Sequence, residues 1–251
     1  MHVGLYAAKV HSRVVHARES IEKAYETYPD RTQFWCFIDL KDSTNYRITY
    51  GPKDGYIRGE TFFSLIAEII SACGEVQLIK EIGDAVLLCS PDFRPLLESV
   101  ILAGLVSHSI ADVSGDAVYP FGLRFALGHG TAKRLRRRTD DYIGSCIDRL
   151  SRIASQRDGD ILIDDNAYTV AHETLDEYKE FLTVSASRQL NPENSKGMVR
   201  PAYYRQITID RAKSDNFQSF FVPWKNQVEQ TSRSQTSDQK KSPHDDRAGG
   251  S

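Results

Sequence analysis

Ile79-Lys80-Glu81-Ile82-Gly83-Asp84-Ala85-Val86-Leu87-Leu88 is the stretch whose reading decides the fold, because it sets a Gly-Asp pair between two short runs rich in strand formers. That spacing predicts a β-hairpin with Asp84 at its tip. Taken alone, Asp84 is an ordinary turn aspartate, since loop carboxylates are solvated at little cost. A second stretch changes its meaning. Phe34-Trp35-Cys36-Phe37-Ile38 is a continuous apolar run, as expected of a strand buried on both faces, and it stops abruptly in Asp39-Leu40-Lys41-Asp42-Ser43-Thr44. A carboxylate at a strand end, followed by small polar residues that can open a helix, is a place where backbone N–H groups can hold phosphate. Two aspartates on the tips of adjacent strands can hold two divalent cations about 4 Å apart, the arrangement for in-line displacement at phosphorus.

Working outward, residues 42 to 50 read as a helix, which Gly51-Pro52-Lys53-Asp54-Gly55 breaks before a second helix from about Glu60 to Ala72. Gly74 leads into the hairpin and Pro91 ends it. Phe93 to Ile110 repeats apolar residues at helical spacing and predicts a long helix over one face of the sheet. Leu123-Arg124-Phe125-Ala126-Leu127 reads as a strand entering a glycine-flanked turn, Gly128-His129-Gly130; a lone His there is a turn residue and receives no role. Lys133-Arg134-Leu135-Arg136-Arg137-Arg138 is a dense basic run, read as a solvated loop or a dimer-contacting arm rather than a nucleic-acid surface. After Asp141, a helix carries Asp148 and Arg152 at i, i+4 on one face, beside an apolar face of Ile147, Leu150 and Ile153. Ile161-Leu162-Ile163 and Tyr203 to Ile207 read as strands, with Asp164-Asp165-Asn166 capping a helix between them.

Four of these segments, in order, carry a resemblance: Phe37-Ile38-Asp39-Leu40 with Ser43-Thr44; Lys80-Glu81-Ile82-Gly83-Asp84; Gly144-Ser145-Cys146-Ile147-Asp148 with Arg152; and Lys196-Gly197. Over roughly residues 33 to 207 the chain resembles the class III nucleotidyl cyclases, and as a short catalytic domain it looks most like the pyrimidine (uridylate or cytidylate) cyclases of bacterial Pycsar antiphage systems. The resemblance implies an α+β, ferredoxin-like βαββαβ fold, a mostly antiparallel sheet flanked by helices, paired head to tail in a homodimer. It implies two divalent cations, Mn2+ or Mg2+, on Asp39, Asp84 and the Leu40 carbonyl. Ser43, Thr44 and Lys196 would bind phosphate, Arg152 and Asp148 would act at the reacting centre, and Lys80 and Asp141 would choose the base. Tyr50 would either narrow that pocket or simply pack its helix. Two departures stand out: Asp148 replaces the usual asparagine and Ala126 the first glycine of the turn. An ionised aspartate accepts but cannot donate a hydrogen bond, so the grip on the ribose is altered. The implied substrate is a nucleoside triphosphate, UTP ahead of CTP, and the product a messenger for a separate effector; the alternatives are an adenylate cyclase and a non-catalytic nucleotide-sensing dimer.

Composition agrees with a small partner. With 251 residues, 40% of them apolar, the chain can bury one core and spare a tail, which predicts an N-terminal extension over 1–32, a catalytic domain over 33–222 and a disordered tail over 223–251. A net charge of −2 gives no global reason to bind nucleic acid or an anionic membrane. No apolar run approaches the length of a membrane span, and four cysteines without a C-x-x-C pair fit a reduced, cytoplasmic compartment.

Overall fold

The computed structural model describes residues 25–113, 121–135, 141–156, 160–195 and 201–210, with isolated positions at 7, 11, 13, 18, 20, 22, 23, 198 and 213. The continuous apolar run becomes β1 (Asp30–Leu40), the centre of the molecule. Its even-numbered side chains Phe34, Cys36, Ile38 and Leu40 enter one core, whereas Trp35 and Phe37 pack into a second core on the opposite face. A strand buried on both sides cannot alternate polar and apolar residues, which is why the sequence run is unbroken.

A short helix, α1 (Ser43–Tyr50), follows β1, then α2 (Pro52–Cys73), the hairpin β2 (Gln77–Ile82) and β3 (Ala85–Ser90), and α3 (Phe93–Val113). The hairpin turn has two residues, with Ile82 opposite Ala85. Positive φ is confined to Gly83 (φ 65), the first turn position, so this site needs glycine. The chain continues through β4 (Leu123–Arg134), β5 (Tyr142–Ile143), α4 (Ser145–Ala154), β6 (Ile161–Asp164), α5 (Asp165–Glu177), β7 (Leu182–Val184), β8 (Arg188–Gln189), a 3-10 turn at Pro192–Ser195 and β9 (Tyr203–Ile209). The sheet order is β2-β3-β1-β4-β6-β9-β7, with β5 added to β4 and β8 to β9. Among these pairings β4 with β6 is parallel and the rest are antiparallel.

Helices α2, α3 and α5 cover the first face, where Phe62, Ile66, Leu96, Leu97 and Ile101 are buried. The second face is covered by α4 with Tyr142, Leu190 and Tyr204, and it stays open toward the end of β1 that carries Asp39. Two expectations need correction. The Gly51 to Gly55 segment does not separate two helices by a loop: α2 already begins at Pro52, since proline at the first helical position sacrifices an N–H that has no partner there anyway. Gly128-His129-Gly130 is not a turn either, because β4 runs through it to Arg134. Its glycines serve the close approach of α4: a Cβ on Gly128 would stand 2.8 Å from Leu150 Cδ2, and one on Gly130 2.8 Å from Cys146 Cβ. The predicted tail over 223–251, most of the N-terminal extension, Arg136 to Arg138 of the basic run and the Lys196-Gly197 pair lie outside the described residues.

Candidate active site

Side-chain alternation puts the chemistry on one face. Asp39 follows Phe37 by two residues and therefore shares the second face, at the open strand end, opposite Ala85 on β3 and Arg124 on β4. Asp84 occupies the hairpin tip beside it; its backbone carbonyl accepts from the Leu40 N–H at 3.0 Å, and its carboxylate accepts from the Ser43 hydroxyl. Burial and the neighbouring Asp84 push the Asp39 carboxyl up to about 6, against the pull of Arg124, whose Nη1 lies 3.3 Å from it. The strand ends thus set three carboxylates, Asp39, Asp42 and Asp84, against the guanidiniums of Arg124 and Arg58. Arg124 Nε is buried without a hydrogen-bond partner. Nothing in the sequence marked Arg124, an arginine on an otherwise apolar strand.

The loop between β1 and α1 is held from three sides. Leu40 N bonds Asp84, Lys41 N donates to the Gly122 carbonyl at 3.0 Å, and Arg58 Nη2 donates to the Lys41 carbonyl at 2.7 Å. Arg58 is 2% exposed and its guanidinium lies 4.5 Å from the Tyr46 ring. These restraints hold Asp42 in the left-handed region (φ 54, ψ 26), which a non-glycine residue keeps only where its surroundings impose it. Beyond it Tyr46 N makes the first helical bond, to the Asp42 carbonyl at 2.8 Å, so the amides of Ser43 and Thr44 precede the hydrogen-bonded part of α1. Thr44 is exposed and Ser43 buried. Lys196 falls outside the described residues.

Lys80 and Asp141 meet: Nζ and Oδ1 are 2.6 Å apart, although the residues are 61 positions apart in sequence. Lys80 is opposite Leu87 after a register shift at Ile79, which keeps its side chain on the second face. Asp141 reaches it because the far half of β4, with β5, curls over that face; the Trp35 indole N–H donates to the Gly130 carbonyl at 3.0 Å in the same region. Tyr50 is not joined to this pair. Its ring packs on Tyr46 at 4.5 Å, the i, i+4 neighbour on α1, and remains 48% exposed.

On α4, Asp148 and Arg152 line one cleft of about 470 Å³ together with Arg149, Asn166, Pro201 and Tyr203. Leu150 and Ile153 are buried beneath it. Pockets of this size are ordinary for small ligands. The structure therefore brings together Asp39, Leu40, Asp84 and Ser43 at one place, Lys80 and Asp141 at another, and Asp148 and Arg152 at a third, all on the same face of the sheet.

Comparison of the sequence with protein families and with curated proteins gives no match. Solved structures do match. The guanylyl cyclase Cya2 superposes with a TM-score of 0.59 at 16% identity, over 73% of this chain and 95% of that one. The adenylyl cyclase CyaB from P. aeruginosa gives 0.59 at 15% identity, over 73% and 97%. The adenylate/guanylate cyclase/hydrolase from Silicibacter pomeroyi gives 0.57 at 15% identity, over 73% and all of that chain. The fold is that of class III cyclase catalytic domains. Nearly the whole of each of those chains is covered.

Proposed function

We propose that the chain is a nucleotidyl cyclase in which the 3′ hydroxyl of a nucleoside triphosphate attacks its own α-phosphorus, giving a 3′,5′-cyclic monophosphate and pyrophosphate. The observation that carries this reading is the placement of Asp39 and Asp84 side by side at neighbouring strand ends. Among the described residues there is no cluster of three or more His, Cys, Asp or Glu side chains, so no closed protein cage for a metal exists there. Two carboxylates and a strand-end carbonyl instead suit hard cations that keep water and substrate phosphates as their remaining ligands. Two such cations, Mn2+ or Mg2+, on Asp39, Asp84 and the Leu40 carbonyl would lower the pKa of the attacking hydroxyl and neutralise the triphosphate.

The chain's own residues do the rest. The amides of Ser43 and Thr44 bind phosphate oxygens, with Lys196 as a further phosphate ligand. Arg152 meets charge developing on the α-phosphoryl oxygens, a task that suits its fixed, always protonated fork. Asp148 accepts from a ribose hydroxyl. Lys80 offers a donor and Asp141 an acceptor to the base, and Tyr50 borders the substrate from the segment after the metal-binding loop. Two copies pair head to tail, so that the metal carboxylates of one face Arg152 of the other.

The substrate we favour is UTP ahead of CTP, with the cyclic pyrimidine nucleotide a messenger in bacterial antiphage defence that acts on a separate effector. This narrower reading rests on the likeness of the whole chain, as a single short catalytic domain, to Pycsar cyclases. The Lys80–Asp141 pair alone is compatible with cytosine or adenine, which share an acceptor-beside-amine edge, and with uracil in a shifted pose. The test is incubation with all four nucleoside triphosphates and Mn2+, with products identified by mass spectrometry. Cyclic AMP as main product overturns the pyrimidine reading, and absence of any cyclic product overturns the cyclase reading in favour of a nucleotide sensor.

A further inference from the structure

Arg149 stands on α4 between Asp148 and Arg152, and the chemistry above gives it no part. Its Nε and Nη2 lie 2.7 and 2.6 Å from Asp164 Oδ2, and Nη2 also donates to the His129 carbonyl at 3.3 Å. Asp164 is fully buried and is itself fixed: it ends β6, and its Oδ1 accepts from Ala167 N at 2.6 Å as the N-cap of α5. Burial pushes the Asp164 carboxyl up, and Arg149 is the cation that opposes this. We propose that Arg149, through Asp164, is a positioning residue that fixes the rotation of α4 and so aims Asp148 and Arg152 into the cleft.

The other attachments of α4 cannot do this alone. Its first residue follows Gly144, which supplies no side-chain cap, and its other anchors on the sheet are the apolar contacts of Leu150, Ile153 and Ala154 and the weak hydrogen bond that the Cys146 thiol donates to the Thr131 carbonyl at 3.3 Å. Apolar contacts are non-directional and tolerate small rotations and slides, whereas two guanidinium donors on one buried carboxylate oxygen are directional. At roughly 100° per residue, Asp148 and Arg152 lie about 100° and about 60° from Arg149 in the same sense around the helix, so one bolt serves both. A rotation of about 10° moves a side chain ~5–6 Å from the helix axis by about 1 Å. Misplacement on that scale can cost on the order of 100-fold in rate.

The inference rests on the cyclase reading for its kinetic arm only. Arg149→Met, Arg149→Lys and the double variant Arg149→Met/Asp164→Asn are compared with the wild type in thermal melts, amide hydrogen exchange of α4, and kcat and KM for the accepted nucleotide. The double variant removes the stranded charge but keeps the oxygen that caps α5. In Arg149→Met, kcat should fall about 100-fold with KM within about threefold, and the α4 amides should exchange faster. Arg149→Lys, which keeps the charge but loses the fork, should fall between. The double variant should recover the melting temperature but neither kcat nor α4 protection. A double variant with wild-type melting and wild-type kcat overturns the proposal, as does unchanged α4 exchange in Arg149→Met. If the wild type turns over no nucleotide, the cyclase reading fails and α4 exchange still decides the lock.

Discussion

Asp39→Asn should make the protein more stable at pH 8 while removing its activity. The carboxyl of Asp39 is raised from 3.8 to about 6, chiefly by burial and then by Asp84. Below pH 4 the group is protonated whether the chain is folded or not, and it does not affect stability. Between pH 4 and 6 the unfolded chain releases the proton while the folded chain keeps it, so unfolding is favoured as pH rises. Above pH 6 the folded protein carries the charge at its full cost. A shift of this size corresponds to about 3 kcal/mol, and Asp39 is 26% exposed, so solvent screens it only in part. Asparagine keeps the shape and lacks the charge, at the expense of the 3.3 Å contact to Arg124. Melts without divalent cations should therefore show Asp39→Asn gaining roughly 5–10 °C at pH 8, and nothing at pH 4, for a domain of this size. The wild type should instead be stabilised by added Mn2+, and the variant should not. A gain that is equal at both pH values, or a loss at pH 8, would refute the account of Asp39 as a carboxylate held in place for a cation.

Three further outcomes are expected. Asp39→Ala and Arg152→Ala are each inactive alone, and mixing them restores activity, because in a head-to-tail heterodimer one of the two sites keeps every group; proven subunit exchange without activity refutes the shared site. Arg58→Met loses a buried hydrogen bond from a charged donor to the Lys41 carbonyl, so chemical denaturation should show a loss of about 1.5–3 kcal/mol. Its turnover should drop with it as the loop at Asp42 relaxes, and unchanged turnover would show that the loop needs no such support. Lys80→Met breaks a partly exposed ion pair and should change stability by less than about 1 kcal/mol. It should nonetheless equalise the rates with the four nucleotides, and retained selectivity would remove Lys80 from the base pocket.

Much of the fold was legible because β1 and β3 hold unbroken apolar runs that stop at turn residues, because α3 repeats apolar residues at helical spacing, and because Gly83 marks a turn that no other residue would make easily. The errors have physical causes of their own. Gly128 and Gly130 are small so that α4 can approach β4, yet in a one-dimensional reading a glycine pair around a histidine is indistinguishable from a turn. Pro52 was read as a breaker although the same residue is a favoured helix opener. Strands β7 and β8, of three and two residues, are too short to show any period at all.

The candidate site divides along a similar line. Its carboxylates were legible only as a pair, because Asp39 stands where an apolar strand ends and Asp84 in the turn of a hairpin, and neither position alone separates a site from an ordinary loop aspartate. The arginines that condition the site were not, since Arg58, Arg124 and Arg149 look like any exposed charge until the fold buries them against a carbonyl, a carboxylate or a ring. Burial makes them informative: a guanidinium taken out of water is costly unless fully engaged. Each of the three is engaged at a different piece of the candidate site, with Arg58 on the Lys41 carbonyl of the loop after β1, Arg124 on Asp39 and Arg149, from the helix bearing Asp148 and Arg152, on Asp164. Asp148 follows the same logic from the other side. An exposed carboxylate beside Arg149 and Arg152 is tolerated electrostatically, whereas at the strand ends Asp84 and Asp42 already push the Asp39 carboxyl up, and a further carboxylate there would push it higher.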